Sequence, residues 1–242
     1  MKLHLFAAVA LGLALLAPAA ASASPAIAKA VADPSRPADE RKLDALRKPA
    51  AMIAFAGVKP GQTIGEFLPG GGYYTRLLSD VVGAKGKIYA LETTTWGKDN
   101  IEATKKTAAS LHNVTVDLAP LGQFNLTENV DVFWTTDNYH DLHVPKYAHV
   151  DMAAFNKHVF DSLKPGGIYF IEDHAAAAGT GAKDSPTLHR IEKKTVIDEV
   201  TAAGFKLVGE SGALHTASDD HTKKVFDLLF NTDRFLLKFQ RP

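Results

Sequence analysis

The polar segment 137–143, with the sequence DNYHDLH, contains residue types that catalytic sites use. It follows the apolar run 130–134, so the polarity of the chain changes abruptly at this point. The best candidate for a general base is His140, because imidazole titrates near neutral pH. Asp137 could hold a substrate hydroxyl or amine, and Tyr139 could line a substrate pocket. A polar loop with Tyr139 packed inward is the alternative explanation.

Histidines and acids also recur in spacings that suggest metal ligands. The candidate sets are His140 with His143, His149 with Asp151, Glu172-Asp173-His174, and Asp219-Asp220-His221. None of these spacings forms a metallohydrolase signature, and we expect several of the ten histidines on surface loops. The sequence therefore predicts no bound metal, and a metal-dependent hydrolase is the weaker alternative for function.

A second candidate site is the glycine-rich segment 66–72, EFLPGGG, between a predicted strand and a predicted helix. Glycines such as Gly70 and Gly72 let the backbone approach a ligand closely. Glu92 lies 20 residues after Gly72, at the end of the next predicted strand, where an acid can accept hydrogen bonds from both ribose hydroxyls. A tight turn without a ligand is the alternative, but the two features together favour a nucleoside-type ligand.

The charge of Glu66 separates two kinds of nucleoside cofactor. A dinucleotide fingerprint would read G-x-G-x-x-G, but Thr75 stands at the third glycine position. Glu66, directly before the loop, would also repel a pyrophosphate. The same carboxylate suits S-adenosyl-L-methionine, which carries an ammonium and a sulfonium group. The sequence therefore predicts S-adenosyl-L-methionine as the cofactor.

The predicted elements place both segments at one edge of a sheet. We expect strands at 63–68, 88–92, 114–118, 130–135, 168–172, 206–210 and 234–240, and helices at 39–47, 49–56, 73–82, 100–111, 152–163 and 188–203. Strands that alternate with helices indicate a mainly parallel sheet covered on both faces. Ligands of such sheets bind outside the carboxyl ends of the strands, so the glycine loop and the polar segment should face one crevice.

Three motifs resemble those of the class I S-adenosylmethionine-dependent methyltransferases. Segment 63–74 resembles the first motif, in which an acid precedes G-x-G-x-G; segment 88–92 resembles the second; and 163–167, LKPGG, is similar to the turn before the fifth strand. The resemblance implies an α/β fold of three layers, Rossmann-like, with a seven-stranded, mostly parallel sheet. The last strand would be antiparallel and lie between the fifth and the sixth.

The resemblance also implies a set of cofactor-binding residues: Glu66, Leu68, Gly70, Gly72 and the ribose acid Glu92, with Asp117 or Leu118 beside the adenine. One position departs from the family, because Leu68 stands where the first loop glycine is expected. Pro69 follows it with a fixed φ. We therefore expect the methionine end of the donor to sit differently from its place in the standard family.

A narrower resemblance concerns the N-terminus. Segments 47–49, 68–75, 138–143 and 233–235 resemble a group of bacterial predicted methyltransferases with signal peptides, over roughly residues 33–242. Lys2, the apolar run 5–17 and the small-residue sequence ASA at 21–23 follow the order of a secretory signal peptide. A retained membrane anchor is the alternative, but the run is short for a span of about 20 residues. We expect a mature protein that begins near Ser24 and is periplasmic or secreted.

Composition limits the partners. Lys and Arg together number 27, as do Asp and Glu, so the sequence predicts neither nucleic acid nor a membrane surface as a partner. The absence of cysteine excludes disulfides, zinc–thiolate sites and cysteine nucleophiles. We expect a signal peptide at 1–23, an extended lead-in (24–37) and helices within 24–57, and a methyltransferase-like domain at 58–242, with no stable membrane span after cleavage.

The predicted function is transfer of a methyl group from S-adenosyl-L-methionine to a small molecule or an envelope component. The donor is made in the cytoplasm, which is difficult to reconcile with an exported enzyme. A non-catalytic protein that binds a nucleoside ligand on the same fold is therefore the main alternative.

Overall fold

The computed structural model describes residues 23–242, which form one sheet of seven strands. The strands are β1 (Thr63–Phe67), β2 (Lys87–Thr93), β3 (Val114–Ala119), β4 (Val130–Thr136), β5 (Leu163–His174), β6 (Lys206–Ser211) and β7 (Arg234–Gln240). Their order is β3-β2-β1-β4-β5-β7-β6, and β7 is antiparallel to both of its neighbours. This order confirms the predicted fold class. The predicted signal peptide lies outside the described residues, except for Ala23.

Helices cover both faces of the sheet because the central strands are apolar on both sides. Successive side chains of a strand point to opposite faces. On β4, Phe133 therefore belongs to the apolar cluster under α7 (Met152–Ser162) and α9 (Lys193–Ala202), whereas Trp134 belongs to the cluster under α5 (Tyr73–Val82). Helix α6 (Lys98–Ala109) packs beside β2 and β3. The sheet is thus a middle layer, which leaves its carboxyl edge free for a site.

The N-terminal region is helical where an extended lead-in was predicted. Helix α1 (Pro25–Ala32) begins after Ser24, whose hydroxyl caps the Ile27 amide, and Pro25 suits its first turn. Its buried side chains pack against α5. The single helix predicted over 39–47 is two short helices, α2 (Ala38–Lys42) and α3 (Asp44–Arg47). Helix α4 (Pro49–Ala56) confirms the prediction and ends at Gly57.

The long helix predicted over 188–203 is confirmed only for its later part, because the chain breaks before Lys193. Helix α8 (Ser185–Leu188) ends at His189, which has the left-handed φ of 55°, and α9 begins only at Lys193. The residues between them form other contacts: Ile191 pairs with Ala175 beside the sheet, and the buried Arg190 forms an ion pair with Asp219 at 2.9 Å. These tertiary contacts override the local helical pattern.

Three shorter features connect or interrupt the strands: a 3-10 turn, a one-turn helix and a bulge. A single 3-10 turn, His140–His143, follows β4, and helix α10 (Val225–Leu228) precedes β7. The turn expected at 163–167 is a bulge within β5, where the register against β4 shifts between Leu163 and Ile168. Within residues 23–242, every helix is too short or too polar to cross a membrane.

Candidate active site

Two adjacent cavities open at the carboxyl ends of β1 and β4. The smaller cavity, of about 310 Å³, is bordered by the glycine loop, and the larger cavity, of about 900 Å³, is bordered by the polar segment. Asp137 and Asn138 line both. The structure therefore confirms that the two predicted segments face one crevice.

The glycines of the loop have two different roles. A Cβ atom on Gly72 would lie 2.4 Å from Thr107 Cγ2 of α6, so glycine is needed there for packing. A Cβ atom on Gly70 would meet no described atom within 4 Å, and Gly70 lines the smaller cavity. Leu68 takes the left-handed φ of 54°, which a non-glycine residue adopts at a cost of about 1 kcal/mol or more. The loop thus keeps the glycine-like conformation at the position where the family has its first glycine.

Glu66 presents a buried carboxyl group to the smaller cavity. The residue is only 2% exposed, and its Oε2 atom has no hydrogen-bond partner within residues 23–242. Burial raises the pKa of Glu66 to about 7, although the neighbouring Thr75 hydroxyl and, less strongly, the charge of Arg47 oppose this shift. A buried carboxyl group with an unused oxygen suits a cationic ligand that supplies a donor.

Glu92 is placed beside the loop but is held by internal hydrogen bonds. Its Oε1 accepts from the Thr93 amide at 2.7 Å, and its Oε2 accepts from Thr104 Oγ1 at 2.8 Å. Burial raises the pKa of Glu92. Thr104, which also contacts the Gly70 carbonyl at 3.2 Å, joins the acid to the loop. The sequence analysis missed this threonine, since nothing in its helical context distinguishes it.

The two positions predicted beside an adenine lie at the end of β3. Asp117 Oδ2 accepts a hydrogen bond from the Asn125 amide at 2.8 Å, and Leu118 is 38% exposed. Both fall outside the walls of the two cavities in the described part of the chain. Their contact with an adenine stays a prediction.

His140 is held rigidly by a buried carboxylate. Its Nδ1 lies 2.7 Å from Asp173 Oδ1, and its backbone amide donates to Asp173 Oδ2, also at 2.7 Å. Burial alone would lower the pKa of His140, but the charge of Asp173 raises it to about 9. This raised pKa does not fit the expectation of a base that titrates near neutral pH.

Asp137 is ionised and paired with Arg47. Its Oδ2 accepts from Arg47 Nη2 at 3.1 Å, and its Oδ1 lies 3.3 Å from Nε2 of His174, whose own pKa is lowered to about 4 by burial. Burial would raise the pKa of Asp137, but its interactions with His174, Arg47 and Arg234 lower it to about 2. Since Asp137 lines both cavities, it is placed where the sequence analysis expected it.

Tyr139 points away from the cavities, so its predicted role beside a substrate was wrong. The side chain is fully buried in the apolar cluster under α7 and α9. Its hydroxyl donates to Glu199 Oε2 and accepts from Asn156 Nδ2, both at 2.8 Å. The alternative of an inward-packed tyrosine in a polar loop was correct for this residue.

The larger cavity has apolar walls that the sequence analysis did not find. Trp96 contacts Tyr147 edge-on, with ring centroids 5.8 Å apart. Phe226 and Leu229 also line this cavity and are 65% and 73% exposed, so they offer it apolar surface. His189 also lines this cavity, because the break after α8 brings it there.

The N-terminal helices wall the smaller cavity. The Arg47 guanidinium lies 4.5 Å from the centre of the Tyr73 ring and 5.0 Å from that of Tyr74. Arg234 Nη2 donates to the Leu46 carbonyl at 2.8 Å and its Nη1 donates to Glu172 Oε1 at 3.0 Å. The end of α3 is thus tied to the edge of the sheet.

The histidine and acid sets proposed from spacing are not the ones that the fold brings together. His143 pairs with Glu199 at 3.2 Å, and Asp219 binds Arg190. The structure instead gathers His140, Asp141 and His189, whose ligand atoms lie within 4.8 Å of one another. His189 carried no signal in the sequence, since it fell inside a predicted helix.

Known structures with the same fold were found by comparison, whereas no protein-family model and no curated protein matches the sequence. A SAM-dependent methyltransferase from Aquifex aeolicus is 21% identical, with a TM-score of 0.59 over 89% of this chain and 97% of that one. One from Mesorhizobium loti is 16% identical, with a TM-score of 0.58 over 82% and 100%. The cyclase SpnF is 14% identical, with a TM-score of 0.59 over 85% and 81%. The chain has the fold of the S-adenosylmethionine-dependent methyltransferases.

Proposed function

We propose that the protein is an S-adenosylmethionine-dependent methyltransferase that binds its donor at the smaller cavity and its substrate in the larger one. The observation that carries this proposal is the buried Glu66 carboxyl, with one unused oxygen, beside an open glycine loop. Structures of the same fold that are described as SAM-dependent methyltransferases support it.

The smaller cavity fits the two charged ends of a methionine group. The Oε2 atom of Glu66 lacks a donor within the described chain, and an ammonium group would supply one. Arg47, which lines the same cavity, offers positive charge to a carboxylate. Gly70 leaves space for the ligand between these groups. When bound, the donor would supply a methyl group on a sulfonium sulfur, and the protein would contribute mainly the alignment of the two reactants.

The larger cavity indicates the character of the acceptor, which we propose to be a small molecule or part of an envelope component. Trp96, Phe226 and Leu229 offer apolar contact, whereas Asp137, which also lines the smaller cavity, lies on the donor side. A molecule with an apolar body and a polar reactive end matches this distribution.

Calorimetry tests the donor assignment. We expect the purified protein to bind S-adenosylmethionine and its demethylated product S-adenosylhomocysteine with one site per chain. Glu66→Gln should weaken this binding, and Glu102→Gln, which changes an exposed acid on α6, should not. Absence of a binding signal at millimolar donor would contradict the cofactor assignment but leave the fold intact.

A binding protein without methyl transfer is the second candidate. The observation that favours it is Leu68, which stands with a left-handed φ of 54° where the methyltransferase loop has a glycine, and is followed by Pro69. SpnF, described as a cyclase, shows that this fold also occurs in proteins named for other reactions. Labelled methyl transfer into envelope extracts and small-molecule pools separates the two candidates. Tight donor binding with no labelled product in any pool would favour the binding protein.

A further inference from the structure

We propose that His140, Asp141 and His189 form a binding site for one divalent transition-metal cation of the zinc type, on the wall of the larger cavity. The site does not depend on the proposed methyl transfer. Its role toward a substrate, given below, does rest on that proposed function.

The three ligand atoms form a triangle of the right size. His140 Nε2 lies 3.2 Å from His189 Nδ1 and 3.4 Å from Asp141 Oδ1, and His189 Nδ1 lies 3.6 Å from Asp141 Oδ1. Nitrogen and oxygen ligands bind zinc at about 2.0–2.2 Å, which places two ligands of a tetrahedron about 3.3–3.6 Å apart. An ion can therefore contact all three atoms with little movement of the side chains.

Asp173 prepares His140 to act as a ligand. Its Oδ1 accepts a hydrogen bond from His140 Nδ1, which fixes the ring and directs Nε2 toward Asp141 and His189. Asp173 is itself fully buried and accepts the backbone amides of His140 and His174, each at 2.7 Å. Histidine ligands of metals commonly donate their other ring proton to a carboxylate in this way.

The remaining partners of the trio come from separate elements that the fold holds in place. Asp141 lies in the 3-10 turn after β4 and is buried. His189 follows α8, and the next residue, Arg190, is anchored by Asp219. All three ligand residues line the larger cavity, so a further coordination position opens toward the proposed substrate. Three protein ligands with one open position are typical of catalytic zinc sites.

The position of this opening suggests the class of substrate. A cation in the trio would bind a hydroxyl oxygen of an alcohol or a phenol and lower the pKa of that hydroxyl, as zinc does for water. The hydroxyl proton would leave to solvent through the cavity mouth, and the oxygen would remain as a nucleophile. In this role the cation would replace a protein base.

Metal binding tests the site directly. Protein expressed from the full-length sequence is purified without a histidine tag, treated with a chelator and titrated with Zn²⁺ and Co²⁺. We expect one ion per chain and a higher Tm with Zn²⁺. With Co²⁺ we expect intense visible absorption, as for a tetrahedral site. His189→Ala and Asp141→Asn should each weaken binding by roughly 100-fold or more, and Asp173→Asn by roughly 10–100-fold.

His143→Ala is the matched control, since His143 lies in the same turn but pairs with Glu199. It should bind Zn²⁺ as the wild type does. Equal Zn²⁺ affinity in the wild type and His189→Ala would overturn the site, as would the absence of binding by the wild type; the trio is then a proton-linked cluster. Far-UV circular dichroism of the metal-free variants shows whether they are folded. If His189→Ala does not fold, Asp141→Asn replaces it in the comparison with the wild type, because asparagine keeps the shape of the aspartate side chain.

The titration needs no methyl donor, so the two proposals can fail separately. Zinc binding without donor binding would leave the site and remove the proposed function. Donor binding without zinc binding would remove the site alone.

Discussion

Glu66 is the residue whose ionisation state should govern the smaller cavity. Its carboxyl group is buried, its pKa is about 7, and one oxygen has no donor within residues 23–242. A cation can pair with it only after the proton has left. Proton release and ligand binding are therefore coupled at this position.

This coupling predicts a pH dependence of donor binding. Between pH 7.0 and 5.5, the donor Kd should rise by up to about tenfold per pH unit, because binding must then expel a proton from Glu66. Glu66→Gln should bind more weakly at pH 7 and show little of this slope. Calorimetry at several pH values measures both, and Glu102→Gln should keep the wild-type slope. An unchanged slope in Glu66→Gln would assign the proton to another group.

The same pKa shift predicts how stability changes with pH in the absence of a ligand. The pKa of Glu66 is raised from 4.5 to about 7, so the stability that the protonated carboxyl confers is complete below pH 4.5 and is lost as the pH rises through 7. The loss is roughly 3 kcal/mol at pH 8. Glu66→Gln should avoid it, so the variant should gain stability over the wild type from pH 4.5 to pH 8. Denaturant unfolding at the two pH values checks the sign.

Tyr139 predicts an effect on stability without an effect on binding. Tyr139→Phe removes the hydroxyl that joins Glu199 to the buried Asn156. We expect a loss of roughly 1–2 kcal/mol in the free energy of unfolding, because Asn156 loses a partner. The donor Kd should not change. If Tyr139→Phe changed the donor Kd but not the stability, Tyr139 would have to be counted among the residues of the site.

Residue types at the site could be predicted more readily than residue roles. The sequence placed Glu66, Gly70 and Asp137 correctly beside the crevice, since strand ends and loops follow from local pattern. It could not show that Asp173 would hold His140 and raise its pKa, because these residues are 33 positions apart. Protonation at a buried site depends on such distant neighbours.

At the scale of elements, the two glycines of the loop after β1 have different roles: Gly72 is needed for packing, and Gly70 borders the proposed donor site. Gly72→Ala should destabilise the fold by roughly 1–3 kcal/mol, because its Cβ would collide with Thr107. Gly70→Ala should cost only about 1 kcal/mol, from its positive φ, yet weaken donor binding roughly tenfold as its Cβ enters the smaller cavity. Denaturant unfolding measures the stability of both variants, and calorimetry measures their donor affinity. If the two variants lose stability and donor affinity to the same extent, the two glycines do not have separate roles.

The break between α8 and α9 predicts a large contribution of Arg190 to the free energy of unfolding. Arg190→Ala would leave the Asp219 carboxylate buried without its guanidinium partner, at a cost of roughly 3–5 kcal/mol. The exposed pair of Lys194 with Asp198 is the control, and Lys194→Ala should cost less than about 0.5 kcal/mol. Denaturant unfolding measures both variants. A small effect of Arg190→Ala would mean that the break has another cause.

This break also marks the limit of local patterns for predicting elements. Helix α5 and strand β7 match the predicted bounds, because α5 has a clear helical apolar period and β7 is a short apolar run. The 188–203 segment has a helical period too, but Arg190 and Ile191 satisfy contacts with residues far away in sequence. Likewise, an extended lead-in was predicted over 24–37, but Pro25 lies in the first turn of a helix, where proline is well tolerated.

At the scale of the whole molecule, the sheet order followed from the resemblance and the three-layer architecture from the alternation of strands and helices. The apolar rim formed by α10 could not be predicted, because it depends on how one connection folds across the carboxyl edge. Export stays a prediction from residues 1–23. N-terminal sequencing of protein from the envelope or the medium should find a start near Ser24, and the full-length chain in the cytosol of the host would contradict it.

The helical wall of the smaller cavity has a consequence for the speed of exchange. Residues 38–47 are held over the cavity largely by ion pairs, including Arg76 with Glu40, Arg36 with Asp44, and Arg47 with Asp137. A ligand bound there would contact this wall through Glu40 and Arg47. Because the side chains of all three pairs are mostly buried, salt screens them only weakly. We therefore expect the residence time of a ligand in the smaller cavity to change little with ionic strength.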